Sequence, residues 1–273
     1  GSGGDITFTG GGLQYGAGIS TDISLRIKNS TTAILIDTNG NNVSFAGELD
    51  SSNTLGLTKN GTGTLSLSGN NTYTGTTTIN TGVFEITSTG LLGGGAYSGN
   101  LINKGAFLFG SDSDQILSGI MSSTGSLTKN GTGTLTLSGN NTYNGTTSIN
   151  AGTLEIASTG RLGAGTYAAN ITNNGSLIIG SNSAQTLSGI ISGMGSLTKN
   201  GSAALTLSGN NTYSGDTIIN TGTLQVSATG LLGGGSYSGN IANSGVFLFG
   251  SNSSQILAGM ISGAGSLTKN GTG

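Results

Sequence analysis

The chain of 273 residues contains no cysteine, histidine, proline or tryptophan. Without cysteine there is no disulfide framework, which fits a secreted bacterial protein and many cytosolic ones alike. Without cysteine or histidine, the common ligands of a transition-metal site and the base of a nucleophile triad are missing. Charge is scarce as well. Eight Lys and Arg stand against ten Asp and Glu, for 7% charged residues, a net charge of -2 and a pI near 4.8. An ordinary soluble chain carries about 25% charged residues. Eight scattered cations cannot form the dense basic face that nucleic acid requires. No apolar run reaches the ~18 residues that a membrane-spanning helix needs. Nothing at Gly1 reads as a signal peptide,.

Glycine is abundant, at 54 residues. Such bias can mark disorder, but two features argue against it. The net charge is too small for self-repulsion to hold the chain open, and Leu, Ile and Phe recur at fixed places,. The recurrence keeps one long period without insertion or deletion. Leu-Thr-Lys-Asn-Gly begins at Leu57, Leu127, Leu197 and Leu267, and Leu-Ser-Gly-Asn-Asn-Thr-Tyr begins at Leu67, Leu137 and Leu207. A fixed long period predicts a stacked, quasi-one-dimensional architecture. The expected organisation is a divergent N-terminal part (1–56), copies at 57–126, 127–196 and 197–266, and the start of a further copy at 267–273. The chain is expected to be a segment of a longer protein.

Within each copy, apolar residues alternate with polar ones, as in Thr134-Leu135-Thr136-Leu137 and Thr153-Leu154-Glu155-Ile156. That is strand periodicity, with the leucines on one face and the threonines on the other. Asn60-Gly61, Asn130-Gly131 and Asn200-Gly201 mark turns,. Leu135, Leu154, Leu177 and Leu197 follow one another at nearly even steps, each the size of one solenoid coil. The reading is an all-β, parallel β-helix (β-solenoid) with about three coils per repeat. Leu65, Leu135 and Leu205 are expected at equivalent inward positions. Antiparallel hairpins at the Asn-Gly turns stay open as an alternative, while a propeller lacks its blade-sized repeat of ~40–50 residues.

The segment 127–147, Leu-Thr-Lys-Asn-Gly-Thr-Gly-Thr-Leu-Thr-Leu-Ser-Gly-Asn-Asn-Thr-Tyr-Asn-Gly-Thr-Thr, is followed by Gly152-Thr153-Leu154. It resembles the autotransporter-associated β-strand repeat, found in passenger regions of Gram-negative type V secreted proteins. The likeness recurs at 57–84 and 197–224 and begins again at Leu267. In the copy at 197, Ser202-Ala203-Ala204 replaces Thr-Gly-Thr. The resemblance implies a right-handed parallel β-helix exported across the outer membrane, to its surface or beyond. The translocator barrel usual in the family has no counterpart in this sequence.

Side chains that could carry chemistry are sparse. Asp112 and Asp114 are the best carboxylate pair, but copies two and three replace them with Asn182 and Ala184, then Asn252 and Ser254. A solvated turn is the plainer reading. Gly93-Gly94-Gly95 lacks the Lys-Ser/Thr that follows a phosphate loop, so a tight corner is expected. No cofactor, catalytic or metal site is expected. Three sets of residues recur once per copy and are candidates for surface contact. Lys59, Lys129 and Lys199 form either a cationic row for glycans or a solubilising charge at each turn. Tyr73, Tyr143 and Tyr213, with Tyr97, Tyr167 and Tyr237, either stack on sugars or cap the core with their hydroxyls in water. Leu108, Ile178 and Leu248 are the middle residues of apolar triplets, so strand alternation turns them outward as an apolar row, either an interface or covered by a loop.

The function expected is a non-enzymatic, structural and adhesive rod on the cell surface, making repeated weak contacts with host or matrix glycans or proteins. The alternatives are the stalk or scaffold of a polysaccharide-degrading enzyme and a self-associating filament or sheath subunit, joined end to end or laterally.

Overall fold

The computed structural model describes residues 3–273 and contains two compact units, with the boundary at Leu135–Thr136. Strands dominate both; the helical elements are short 3-10 turns. The strands of either unit pair in parallel, each with a strand of the next coil, as Leu57 with Thr77 and Leu205 with Leu224. The pairing is that of a β-solenoid, and among the described residues the Asn-Gly turns do not close antiparallel hairpins.

In the N-terminal unit, one sheet stacks Leu13–Gln14, Ile34–Asp37, Leu57–Asn60, Thr77–Ile79, Leu101–Asn103 and Met121–Ser122. A second stacks Val43–Phe45, Thr64–Leu67, Val83–Ser88, Ala106–Ser111 and Ser126–Lys129. Short pairs form the third side: Asn70–Asn71 with Leu91–Leu92, and Ala96–Tyr97 with Gln115–Leu117. The divergent residues before Leu57 therefore join the same stack.

The C-terminal unit repeats this plan. Its first sheet runs through Thr153–Ile156, Ser176–Ile179, Ser196–Lys199, Thr217–Ile219, Ile241–Asn243 and Ile261–Ser262. Its second runs through Thr166–Tyr167, Gln185–Leu187, Ala204–Leu207, Thr223–Val226, Val246–Phe249 and Ser266–Lys269. Its third contains Thr147–Ile149, Ile171–Asn173 and Ile191–Ser192.

Alternation decides which side chains enter the core. Leu65, Leu135 and Leu205 are each fully buried, as are Phe84, Leu154 and Leu224. Their neighbours Thr64, Ser66, Thr134 and Thr136 lie at the surface, half-buried. Parallel pairing stacks like on like, so Leu205 meets Leu224 and Leu224 meets Phe247.

The coil length corrects one expectation. Leu65 pairs with Phe84, Phe84 with Phe107 and Phe107 with Leu127. Three coils from Leu65 thus end at Leu127, yet the sequence equivalent of Leu65 in the next copy is Leu135. The chain must still run from Leu127 to Leu135. That stretch turns one corner, as does the stretch from Leu57 in the first N-terminal sheet to Leu65 in the second. Equivalent residues therefore fall on different sheets. Leu57 and Leu127 lie in the first and second sheets of the N-terminal unit, and Leu197 and Leu267 in those of the C-terminal unit. The Asn-Gly turn is the corner that produces this advance.

A second type of corner follows the third side. Gly93, Gly94 and Gly95 have φ of 57°, 64° and 97°, a left-handed run that glycine adopts without a Cβ clash,. In copy two the middle residue is Ala164 at φ 54°, an uncommon conformation for alanine,.

Inward and outward positions make contrasting predictions. Leu205→Ala should lower stability by about 2–5 kcal/mol through lost burial and a residual cavity. Leu248→Thr, on a half-buried outward position, should change it by about 0.5 kcal/mol or less. Denaturant titration of both variants measures the difference.

Candidate functional site

The three lysines are not at the surface. Lys59, Lys129 and Lys199 are buried, which corrects both the cationic row and the solubilising turn charge. The reason is alternation: in Leu57-Thr58-Lys59, Lys59 shares the inward side with Leu57. The long methylene stem packs in the core while the ammonium turns back to the corner. Lys59 Nζ donates to the carbonyls of Asn60 (2.8 Å), Gly61 (2.7 Å) and Thr81 (3.2 Å). Lys199 Nζ donates to Gly201 and Thr221, and Lys129 Nζ to Gly131. The lysine thus supplies donors to the turn's carbonyls. Burial pushes Lys59 down to about 8, partly opposed by the negative charge of Asp37. Burial likewise lowers Lys129 and Lys199. The three also lack a common face. Lys59 and Lys129 lie in different N-terminal sheets, and Lys199 lies in the first sheet of the C-terminal unit.

The tyrosines are interior too. Tyr73, Tyr143 and Tyr213 are fully buried, and Tyr97, Tyr167 and Tyr237 nearly so, which excludes both sugar stacking and hydroxyls in water. Each copy joins two tyrosines through one buried threonine. Tyr73 Oη lies 2.7 Å from Thr77 Oγ1, which lies 2.7 Å from Tyr97 Oη, and Tyr97 donates to the Gly75 carbonyl at 2.6 Å. Tyr143–Thr147–Tyr167 and Tyr213–Thr217–Tyr237 repeat the arrangement. The paired rings lie 5.4–5.7 Å apart at their centroids. Burial holds Tyr73, Tyr143 and Tyr213 well above the usual phenol range and pushes Tyr97 up to about 12.

Other polar side chains act as links between coils. Asn71 accepts from Leu49 N–H and donates to the Gly69 and Leu91 carbonyls. Asn211 does the same with Ile191, Gly209 and Leu231. Gln115 and Gln185 clasp Leu92 and Leu162. The Asp112–Asp114 pair is engaged in the same way. Asp112 accepts from the Thr132 N–H and hydroxyl, and Asp114 from the Thr134 N–H. Those bonds hold Asp112 below its usual range. Asn182 accepts the same two bonds from Ser202, so the role requires an oxygen acceptor and not a charge.

Leu108, Ile178 and Leu248 are outward and half-buried between inward neighbours, as alternation requires. They do not form a row. Leu108 lies in the second sheet of the N-terminal unit, whereas Ile178 and Leu248 lie in the first and second sheets of the C-terminal unit. A more exposed apolar set escapes the sequence reading: Ile120, Ile190 and Met260, at 42%, 38% and 66% exposure. Its signal is an aliphatic residue after Ser-Gly or Ala-Gly in every copy. Among the described residues, no group of three or more His, Cys, Asp and Glu could hold a metal ion. The recess at Asp22–Arg26 encloses about 260 Å³.

The fold and these links define a repeat-built β-solenoid whose periodic polar residues tie coil to coil. Residues 57–86, 127–156 and 197–226 match the family described as the passenger-associated-transport-repeat. A curated relative, the adhesin BmaC autotransporter of Brucella suis biovar 1 (strain 1330), is 40% identical over 163 residues. The aligned region covers 53% of this chain and 5% of that protein. No solved structure matches. Three segments of the chain thus match the passenger repeat, which supports an autotransporter passenger region situated outside the cell or at the outer-membrane surface of a Gram-negative bacterium. Among the described residues, no helix is long and apolar enough to cross a membrane.

The tyrosine units should be sensitive to loss of the shared hydroxyl. Thr217→Val leaves two buried phenols short of a partner and should cost about 1–3 kcal/mol. Tyr213→Phe removes an end of the chain of bonds and should cost less in the same denaturant titration.

The buried groups also set a pH optimum. Between about pH 8 and 10, folded Lys59 loses its proton while the unfolded chain keeps it up to the ordinary value of 10.5. The unfolded state then binds more protons, so stability rises with pH. Above pH 10, unfolded tyrosines ionise while the buried ones stay neutral, so the sign reverses,. Melting temperatures should peak near pH 10, and Lys59→Met should flatten the rising limb.

Proposed function

We propose that this chain is a non-enzymatic adhesive segment of an autotransporter passenger, making repeated weak contacts with glycans or proteins of a host or matrix. The observation that carries the reading is the allocation of side chains. The tyrosines, the three buried lysines and the Asp112–Asp114 pair are used in coil-to-coil or corner bonds. The outward positions are mostly Thr, Ser and Asn, and the apolar Leu108, Ile178 and Leu248 among them fall on different sheets. Such a surface suits many weak contacts. The relative's name, an adhesin, supports the same reading. The copies at 57–126, 127–196 and 197–266 are its proposed building units.

A self-associating filament is the second reading. The exposed Ile190 and Met260 favour it, since apolar side chains on a surface with little charge can pack against another copy,.

Beads coated with the purified chain should adhere to cell monolayers or matrix layers above beads coated with an unrelated β-solenoid. Incubation with a panel of acidic and neutral polysaccharides should release no new sugar ends. Absence of adhesion, or release of sugar ends, would overturn the reading. Concentration-dependent sedimentation that disappears in an Ile190→Ser/Met260→Ser variant would select the filament.

A further inference from the structure

The triplet Asn-Asn-Thr recurs at Asn70–Thr72, Asn140–Thr142 and Asn210–Thr212. Each has an asparagine followed two residues on by threonine, the acceptor pattern for an N-linked sugar in a secreted protein. The middle asparagine is buried in every copy. Asn71 and Asn211 bond to the coils on either side, and Asn141 donates to the Gly139 carbonyl. With the middle residue held inward, alternation turns its two neighbours outward together. Asn70, Asn140 and Asn210 are exposed, as are Thr142 and Thr212, while Thr72 is half-buried.

The amide and the threonine stand side by side at the glycine corner of the following coil. Asn70 Oδ1 and Thr72 Cγ2 each lie 4.0 Å from where a Cβ on Gly94 would sit. Asn210 Oδ1 and Thr212 Cγ2 lie 4.0 and 3.7 Å from the same point on Gly234. Those glycines have no side chain to cover the pair, and in copy two Ala164 brings only a methyl.

Other triplets of this pattern are committed to the stack. Asn60 and Asn200 accept from the amides of Asn80 and Asn220. Asn42, Asn170, Asn174 and Asn252 accept from the N–H groups of Thr64, Ile190, Met194 and Thr272 on the next coil. Among the described residues, the side-chain amides of Asn70, Asn140 and Asn210 and the hydroxyls of Thr142 and Thr212 have no hydrogen-bond partner; the Thr72 hydroxyl donates to Glu48. A group attached at these three Nδ2 atoms therefore breaks no bond between coils and points into solvent.

We propose that Asn70, Asn140 and Asn210 are N-glycosylated, each accepting a sugar activated as its diphosphate ester by a transferase of the producing cell. Nδ2 bonds to the anomeric carbon and gives up one of its two protons. The bond from that carbon to the diphosphate oxygen breaks, and the nucleoside or polyprenyl diphosphate leaves. The surface has a use for the sugar. Only 7% of residues are charged, so little repulsion separates neighbouring copies, and a bulky hydrated group supplies what charge does not,. The modification goes beyond the adhesive reading and does not depend on it.

The test isolates the protein from the bacterium that produces it and maps added mass to single residues by electron-transfer fragmentation. Hexose or N-acetylhexosamine mass is expected on all three asparagines, at higher occupancy than on Asn170 and Asn174. Thr142→Val and Thr212→Val, made in the same bacterium, should lose the sugar on Asn140 and Asn210, whereas Thr142→Ser and Thr212→Ser should keep it. Circular dichroism should show all four variants folded, since the hydroxyls they alter hold nothing in the stack. Bare asparagines, sugar on threonine oxygens instead, sugar retained in the valine variants, or a preference for Asn170 and Asn174 would each overturn the proposal. Label passing to Asn140 from a nucleoside diphosphate sugar in the soluble extract, or only from lipid-linked sugar in the membrane fraction, supports the site either way and tells the two donors apart. Bead adhesion of the sugar-free and sugar-bearing chains, measured separately, tests the adhesive reading alone.

Discussion

Each strand finds its backbone partner on the next coil, as Thr64–Leu67 does on Val83–Ser88, and the rest of the structure follows from that pairing. Parallel stacking places one inward residue above another, so each coil must present a core side chain at the same height. It also requires the corners to return the chain in register. A loop that joined adjacent antiparallel strands would release both demands, but no such pairing is present among the described residues.

The interior solves a problem that this stacking creates. Corners expose carbonyl and N–H groups that lack ladder partners, and buried groups of this kind are costly. The chain answers with side chains taken from the periodic motif. Lys59 donates to three carbonyls, Asn71 links three coils, and Gln115 clasps Leu92 by both its N–H and its carbonyl. Tyr73, Thr77 and Tyr97 close a chain of hydroxyls within the core. The buried polar residues of the motif are thus structural.

The mismatch between repeat and coil shapes how the surface is presented. A residue that recurs in every copy advances to another sheet, because three coils from Leu65 end at Leu127 and not at its equivalent Leu135. Ile178 and Leu248, equivalent in sequence, accordingly face outward on different sheets of the C-terminal unit. Repetition in sequence here distributes a feature among faces and does not line it up along one.

The sequence by itself determined the all-β class, the strand positions, and the inward place of Leu65, Leu135 and Leu205, because alternation is a property of adjacent residues; it favoured parallel stacking through the coil-sized spacing but left antiparallel hairpins open. It also contained the burial of Lys59, since Leu57-Thr58-Lys59 puts lysine and leucine on one side; residue type outweighed position in the reading of that motif. Only the tertiary structure decided which sheet each copy faces, because that depends on the length of chain consumed per coil, a sum over strands and corners that no local pattern fixes. It alone decided that Tyr73 and Tyr97, on successive coils, share Thr77. Those relations arise between coils, where partners are chosen by stacking and not by neighbourhood in the chain.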